Sequence, residues 1–272
     1  MYMMGAIIGD IVGSRFEFNN HKSKDFEFFS DECEFTDDTV MTIAVAEAIR
    51  HASGHMAVNE NNLPFITAYT MRSYGRKYPF CSYGVRFMDW LFTDNAPAYG
   101  SYGNGAGMRV SAVAWAARNM YECVRMSEWV TIPTHSHPEG IKGAEAIATA
   151  TFLALHGSTK EDIRKHINDS YYKLDFTLDE IRNSYRFDET CQGTIPQAIV
   201  AFLESTDFED AIRNAVSIGG DSDTLAACTG AIAEAYYGIP ADMREKALTY
   251  LDGRLRKDIL SLENTYPPKI CG

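Results

Sequence analysis

The sequence has 272 residues, of which 46% are hydrophobic, and this is enough to bury a large core. Aspartate and glutamate number 37 against 25 lysines and arginines, which gives a formal net charge of −12. Non-specific binding to nucleic acid requires basic patches that neutralise phosphates, so this charge disfavours nucleic acid as a partner.

The N-terminal stretch MYMMGAIIGDIVGSRFEF (1–18) is apolar, but it has the order of neither a signal peptide nor a membrane span. Asp10 interrupts it, no basic segment precedes it, and it is too short to cross a bilayer. The six cysteines form no C-x-x-C pair, and several lie inside apolar helical patterns. We therefore expect reduced thiols in a cytoplasmic protein that has no membrane partner.

Helical periodicity dominates the chain. Gly5, Gly9 and Gly13 are four residues apart and would form one smooth stripe on a first helix. DFEFF (25–29) is the best candidate for a strand. Apolar residues at three- and four-residue spacing predict helices over 39–52, 64–78, 108–124, 138–156, 197–204, 208–217 and 224–238. No Pro/Ser-rich linker and no repeat is visible, so the sequence predicts an all-α fold, a compact multi-helix bundle in a single domain over residues 1–272.

Two acidic clusters, far apart in the sequence, each precede a helical segment of small apolar residues. FTDDTVMT contributes Thr36, Asp37 and Asp38, and GGDSDT contributes Asp221, Asp223 and Thr224. Helix capping is one explanation, because Asp, Ser and Thr accept hydrogen bonds from the free N–H groups at helix starts. Capping needs only one such residue per helix, and two clusters with paired acids exceed that need.

A metal site is the other explanation, provided that the two clusters meet in space. Carboxylates about 4 Å apart repel by about 4 kcal/mol per pair at an effective dielectric constant near 20. Two divalent cations would balance four carboxylates, and oxygen ligands without His or Cys favour Mg²⁺, Mn²⁺ or Ca²⁺ over zinc. An EF-hand is excluded because apolar residues follow Asp38. A haloacid-dehalogenase-type phosphatase is disfavoured because two glycines, and not a strand, precede Asp221.

Five ordered motifs, GAIIGDIVGSRFEF, FTDDTVMT, GNGAGMRVSAVA, THSHPEG and GGDSDTLAACTGAIAEAYYG, resemble the ADP-ribosylglycohydrolase family over residues 3–240. The resemblance implies an all-helical hydrolase that releases ADP-ribose from an acceptor with two divalent cations, Mg²⁺ or Mn²⁺. It implies an acid or base at Glu17, on the loop after the first helix, or at the metal-bridging Asp38 or Asp223. The implied cation ligands are Thr36, Asp37, Asp38, Asp221, Asp223 and Thr224.

The resemblance also implies a diphosphate-binding loop at YGNGAG (102–107). Its glycines would allow the backbone to approach phosphate closely, and a helix starting at Met108 would offer free N–H groups. His135 would lie near the pyrophosphate, whereas His137 is expected to order its loop or cap the helix at Pro138. Arg109 is expected to have a structural role. The implied substrate-binding residues are Gly103, Asn104, Gly105, Gly107, Met108 and His135.

The acceptor stays open. The resemblance to bacterial-type members and the compact length favour ADP-ribosylated arginine, but serine-linked ADP-ribose, O-acetyl-ADP-ribose and ADP-ribosylated bases are alternatives. A non-catalytic relative that only binds ADP-ribose is a further alternative. The acids of the candidate site argue against a non-catalytic relative, because a site without activity has no need to keep mutually repelling carboxylates. The acids that are present are Glu17, Asp37, Asp38, Asp221 and Asp223. We expect a monomer whose partner is an ADP-ribosylated protein or small molecule.

Overall fold

The structure, a computed structural model, describes residues 3–55, 58–265 and 270–271. These residues form fourteen α-helices, a 3-10 turn at Asn104–Ala106 and one pair of short parallel strands. The helices are α1 (Met4–Ser14), α2 (Asp37–His55), α3 (Leu63–Gly75), α4 (Val85–Phe92), α5 (Ser111–Ala116), α6 (Met120–Thr131), α7 (Pro138–Leu155), α8 (Lys160–Ser170), α9 (Leu178–Ile181), α10 (Cys191–Leu203), α11 (Phe208–Val216), α12 (Ser222–Tyr237), α13 (Ala241–Leu248) and α14 (Gly253–Thr265). The strands are β1 (Ile239–Pro240) and β2 (Ile270–Cys271). The all-α prediction is confirmed, while the domain limits 1–272 stay a prediction because both chain ends lie outside the described residues.

Helix α12 forms the centre of the bundle. Every residue from Ser222 to Ala235 is buried, and the helix packs against α1, α7, α10 and α11. A helix with small or apolar residues on all faces has no side suited to water, and it is therefore surrounded by other helices. The second acidic cluster leads directly into this buried helix.

Glycines on α1 bring its backbone into direct contact with α12. A Cβ at Gly5 would lie 2.1 Å from the Gly230 carbonyl oxygen, and a Cβ at Gly9 would lie 2.1 Å from the Ala226 carbonyl oxygen. A Cβ at Gly13 would lie 2.6 Å from the Asp223 Cα. Any side chain at these positions would push the helices apart. The predicted stripe is therefore confirmed, and it sets α1 beside the first turn of α12.

The predicted helix over 108–124 is wrong, because two helices occupy this stretch. Helix α5 ends at Ala116, and Ala117 is extended with a ψ of 137°. Asn119 then starts α6, since its side-chain oxygen accepts a hydrogen bond from the Glu122 amide at 2.9 Å. A local cap thus starts a new helix within a continuous apolar pattern.

The predicted strand at 25–29 is also wrong, and this segment is an irregular loop. The carbonyl oxygens of Lys24 and Phe26 accept hydrogen bonds from the Arg213 guanidinium, at 3.0 and 2.7 Å. The same guanidinium carbon lies 4.8 Å from the ring centre of Phe26 and 5.4 Å from that of Phe28. Arg213 of α11 therefore donates hydrogen bonds to backbone carbonyl oxygens that the amides of a neighbouring strand would otherwise bind.

Three smaller expectations can be compared with the structure. His137 caps α7, because its side chain accepts a hydrogen bond from the Glu139 amide at 3.1 Å, as predicted. The cysteines 33, 81, 123, 191 and 228 are free thiols. Among the described residues, no helix combines the length and the hydrophobicity that a membrane crossing requires.

Candidate active site

A cleft of about 540 Å³ opens where the starts of α2 and α12 meet the loop after α1. Glu17, from that loop, lines the cleft. Five of the six predicted cation ligands also line it, namely Asp37, Asp38, Asp221, Asp223 and Thr224, whereas Thr36 lies outside the lining.

The two acidic clusters are in contact, although their members are 186 positions apart in the chain. Thr224 Oγ1 donates a hydrogen bond to Asp38 Oδ2 at 3.3 Å. Glu17, Asp221 and Asp223 each present a carboxylate oxygen, and these oxygens lie within 4.8 Å of one another. The buried Asp38 Oδ1 has no hydrogen-bond partner among the described residues. The group of three carboxylates fits a hard divalent cation, and Asp38, which is not one of the three, adds an unpartnered buried oxygen to the same cleft.

Burial and mutual repulsion disfavour the ionised form of these carboxyl groups. Burial, followed by the negative charge of neighbouring aspartates, raises the pKa of Asp37, Asp38 and Asp223 well above their usual range. For Glu17, burial and then the Asp221 carboxylate raise the pKa to about 7. A bound cation would favour the ionised form of each group, so the cluster is suited to cation binding.

Asp10, on α1, organises the first acidic turn from the protein interior. It is fully buried, and its oxygens accept hydrogen bonds from the Thr36 and Thr39 amides at 2.9 and 3.0 Å. Both threonine hydroxyls also donate to it, that of Thr36 at 2.7 Å. Burial raises the pKa of Asp10 to about 6, and the four hydrogen bonds oppose that rise.

Sequence reasoning missed Asp10 as a functional residue. It treated this residue only as an interruption of an apolar stretch, yet a lone acid in a helix that packs on all sides must find hydrogen-bond donors. The hydroxyl of Thr36 is engaged with Asp10, which explains why Thr36 does not line the cleft.

The second acidic turn has a different support. Gly219 and Gly220 adopt positive φ angles of 65° and 82°, which glycine accommodates without steric cost. Asn104 Nδ2 donates a hydrogen bond to Asp221 Oδ2 at 2.6 Å and another to Thr194 Oγ1 at 3.1 Å. The glycine-rich loop therefore holds the carboxylate of Asp221 directly.

His135 lies beside the glycine-rich loop with a defined orientation. Its Nδ1 accepts hydrogen bonds from Arg109 Nη2 at 3.1 Å and from the Thr134 hydroxyl at 2.8 Å. Burial, together with the nearby guanidinium, holds the pKa of His135 well below its usual range. The neutral ring therefore carries its proton on Nε2, and a Cβ at Gly105 would lie 3.3 Å from that atom. Arg109 is buried behind His135 and fixes its tautomer.

Two features of the glycine-rich loop differ from the prediction. A Cβ at Gly107 would lie 2.5 Å from Ile195 Cδ1, so Gly107 faces the core and does not line the cleft. Met108 does line the cleft, but no helix starts there. Its amide donates to the Asn104 carbonyl oxygen at 3.3 Å, and α5 begins at Ser111. The expectation of a free helical N–H group at Met108 is wrong because the Asn104 carbonyl oxygen of the preceding 3-10 turn accepts its hydrogen bond.

The lining of the cleft is uneven in charge. One part combines the carboxyl groups of Glu17 and Glu189 with the Phe18 ring, which is 82% exposed. The Phe18 ring stacks on that of Phe187, with 6.2 Å between the ring centres. Another part carries Arg86, whose guanidinium carbon lies 4.9 Å from the Tyr99 ring centre. The first part is suited to a cationic group, and the second to an anionic or aromatic one.

Comparisons with known proteins agree with one another. A family model described as ADP-ribosylglycohydrolase matches residues 2–267. The chain is similar to ADP-ribosylhydrolase ARH3 of Xenopus tropicalis, with 26% identity that covers 92% of this chain and 91% of that protein. It is also similar to ADP-ribosylarginine hydrolase Tri1 of Pseudomonas putida (strain GB-1), with 27% identity over 87% of this chain and 70% of that protein. A solved structure titled "ADP-ribosylglycohydrolase-related protein complex" has the same fold, with a TM-score of 0.68, 21% identity and coverage of 96% and 95% of the two chains.

Proposed function

The chain belongs to the ADP-ribosylglycohydrolase family, a family of hydrolytic enzymes. We propose that it cleaves the bond between ADP-ribose and arginine side chains of proteins. The observation that carries the proposal is the meeting of Glu17 with the two acidic turns in one cleft. Such a cluster pairs a group able to transfer protons with a set of carboxylates suited to cations.

Two divalent cations, Mg²⁺ or Mn²⁺, would be held by Asp37, Asp38, Asp221, Asp223 and Thr224, with Thr36 supporting the first turn. The unpartnered Asp38 Oδ1 and the all-oxygen composition of the cluster support this assignment. Such cations would offset the negative charge of the cluster and would supply electrophilic stabilisation to the hydroxyl groups of a bound ribose.

Glu17 is our first candidate for proton transfer, with Asp38 and Asp223 as the alternatives. In the cation-free protein, burial and the Asp221 carboxylate raise the pKa of Glu17 to about 7, and bound cations would lower it towards the ordinary range of a carboxyl group, so Glu17 can both accept and donate a proton. In the ionised state, a Glu17 carboxylate oxygen would accept a proton from the attacking water. In the protonated state, it would donate a proton to the departing acceptor atom. Transfer to either atom assists cleavage at the anomeric carbon, where positive charge develops.

The diphosphate of ADP-ribose would lie along Gly103, Asn104 and Gly105, next to His135. The absence of side chains at the two glycines permits close approach, and the Nε2–H of His135 would donate a hydrogen bond to a phosphate oxygen. Met108 would contribute to the same wall of the cleft. Gly107 would act from behind that wall, by permitting the close packing of Ile195.

The acidic and aromatic part of the cleft supports arginine as the acceptor. A guanidinium group is attracted by carboxylates such as Glu17 and Glu189, and it stacks well on aromatic rings such as Phe18. A serine hydroxyl or an acetyl group would gain neither interaction. The name of the Pseudomonas putida relative, an ADP-ribosylarginine hydrolase, supports the same choice.

The test is hydrolysis of arginine-linked, serine-linked and O-acetyl-linked ADP-ribose in Mg²⁺, in Mn²⁺ and in EDTA. We expect release of ADP-ribose from the arginine-linked substrate, only with a divalent cation. Asp38→Ala and Asp223→Ala should each abolish it, by a factor of about 10³ or more, while far-ultraviolet circular dichroism stays helical. Asp175→Ala removes an exposed aspartate outside the cleft and should leave the rate unchanged. Equal rates with and without EDTA, or an active Asp38→Ala protein, would contradict the proposal.

A further inference from the structure

Asn20 connects the Glu17 loop to the second acidic turn. Its Oδ1 accepts a hydrogen bond from the Gly220 amide at 2.7 Å, and its Nδ2 donates to the Gly220 carbonyl oxygen at 3.3 Å. The same Nδ2 also donates to the Glu17 carbonyl oxygen at 3.0 Å and to that of Phe16 at 3.4 Å. One side chain therefore binds both backbone groups of Gly220 and the backbone of Glu17.

The second acidic turn has the shape that this contact requires. A Cβ at Gly219 would lie 2.9 Å from Asn20 Oδ1, and a Cβ at Gly220 would lie 2.4 Å from Tyr185 Cε1. Both glycines also have positive φ angles. A side chain at Gly219 would therefore meet Asn20, and one at Gly220 would meet the Tyr185 ring, so Gly219 permits the approach of the Glu17 loop while Gly220 permits that of Tyr185.

Lys22 makes a second contact between the same two segments. Its Nζ donates hydrogen bonds to the carbonyl oxygens of Ile218 and Tyr185, the latter at 2.9 Å. Lys22 thus holds the far side of the loop, while Asn20 holds the side next to Glu17. Of these two side chains, only Asn20 bonds to the backbone of Glu17 itself.

We propose that Asn20 is a positioning residue that sets Glu17 at the acidic cluster by pairing its loop with the turn before Asp221. The inference rests on the proposed role of Glu17 in proton transfer. Asn20 also bonds to Gly220, the residue before Asp221. Its replacement could therefore lower activity in another way, by displacing the cation ligand Asp221. The experiment must therefore separate an effect on Glu17 from an effect on cation binding.

Three variants test the contact. Asn20→Ala removes all four hydrogen bonds. Asn20→Asp keeps an acceptor for the Gly220 amide but places a carboxylate oxygen against three carbonyl oxygens, so it should be at least as harmful. Asn19→Ala is the matched control, because Asn19 is the neighbouring residue, is exposed as Asn20 is, and makes no side-chain hydrogen bond among the described residues. We expect kcat to fall about tenfold in Asn20→Ala, equivalent to about 1.4 kcal/mol, and not to fall in Asn19→Ala.

Whether Asn20 acts through Glu17 or through the cation ligands is determined by comparing kcat, KM and the Mg²⁺ requirement, and by a double-mutant cycle with Glu17→Gln. If Asn20 acts through Glu17, the KM and the Mg²⁺ concentration for half-maximal rate stay unchanged, and Asn20→Ala adds little to the loss caused by Glu17→Gln. A full tenfold loss in the Glu17→Gln background, or a raised Mg²⁺ requirement, would overturn the inference in favour of the cation ligands.

Hydrogen exchange provides a readout that is independent of activity. Amides within residues 16–24 should exchange faster in Asn20→Ala than in Asn19→Ala, because the loop loses its attachment to Gly220. Equal exchange in the two variants would overturn the inference whatever the reaction is. A wild-type protein that cleaves no ADP-ribosyl compound would instead contradict the proposed function, so the two failures are distinguishable.

Discussion

The first acidic turn, residues 36–39, is supported by the protein interior, whereas the second, residues 219–224, is supported by two loops. Asp10 lies under the first turn, and it accepts four hydrogen bonds with no access to water. The second turn takes its contacts from Asn104, on the glycine-rich loop, and from Asn20, on the Glu17 loop.

The difference indicates which half of the site can adjust. A buried carboxylate with four donors cannot shift without leaving polar groups unsatisfied, so the first turn is a fixed platform. The second turn contacts two loops, the exposed loop that follows Glu17 and the largely buried glycine-rich loop, and each of these loops also lines the cleft. A change in the position of the Glu17 loop would therefore act on the second turn more directly than on the first.

Asp10→Asn should remove the hydrogen bonds that support the first acidic turn, and it gives the largest expected effect on stability. The new amide group would point a donor at groups that are themselves donors, and we expect the free energy of unfolding to fall by about 3 kcal/mol. Urea denaturation measures this change, with Asp175→Asn as an exposed control. An Asp10→Asn protein with wild-type stability would show that the first turn does not depend on the interior.

The acidic cluster should also make the cation-free protein sensitive to pH. The folded state raises the pKa of Asp10 to about 6 and that of Glu17 to about 7, so between pH 5 and 7.5 it keeps protons that the unfolded state has released. Stability therefore falls as the pH rises through this window. The lowered pKa of His135 gives the opposite slope, because the unfolded imidazole binds a proton below about pH 6.5.

The pH dependence of stability in EDTA, compared with that in Mg²⁺, separates the contribution of the acidic cluster from that of His135. We expect the loss of melting temperature between pH 5 and 7.5 to be larger in EDTA than in Mg²⁺, because the cation favours the ionised carboxylates. Burial also raises the pKa of Glu234 to about 8 and that of Glu145 to about 7, and these two groups lie outside the cleft and act equally in both buffers. Differential scanning calorimetry in the two buffers gives the comparison. A melting temperature with the same pH dependence in both would mean that no cation binds to these carboxylates.

Thr224→Val tests the direct contact between the two turns and gives the smallest expected effect. The variant loses the hydrogen bond to Asp38 Oδ2 but keeps the volume of the side chain, so we expect a loss of about 1 kcal/mol in stability. Thr224→Ser keeps the hydroxyl group and should retain more of the activity than Thr224→Val. If the serine and valine variants behave alike, the hydroxyl does not join the turns.

Much of the fold and of the candidate site follows from local sequence. The glycine stripe on α1, a helix over 224–238 and an acidic cluster before each of two helices are predicted, because side-chain size, periodicity and charge act over a few residues. The break after Ala116 was missed because one capping side chain, Asn119, overrides a continuous apolar pattern. The prediction of a strand at 25–29 failed because Arg213, a side chain of α11, binds the carbonyl oxygens of Lys24 and Phe26.

The sequence by itself determined which residue types are present at each turn and which helices they precede. Only the tertiary structure decided that Asp10 supports the first turn, that Asn104 and Asn20 hold the second, and that Gly107 faces the core. Each of these contacts joins residues from separate elements, such as Asn20 and Gly220, 200 positions apart. Their pairing depends on which separate elements come together in the folded chain, and no local pattern of residues encodes that arrangement.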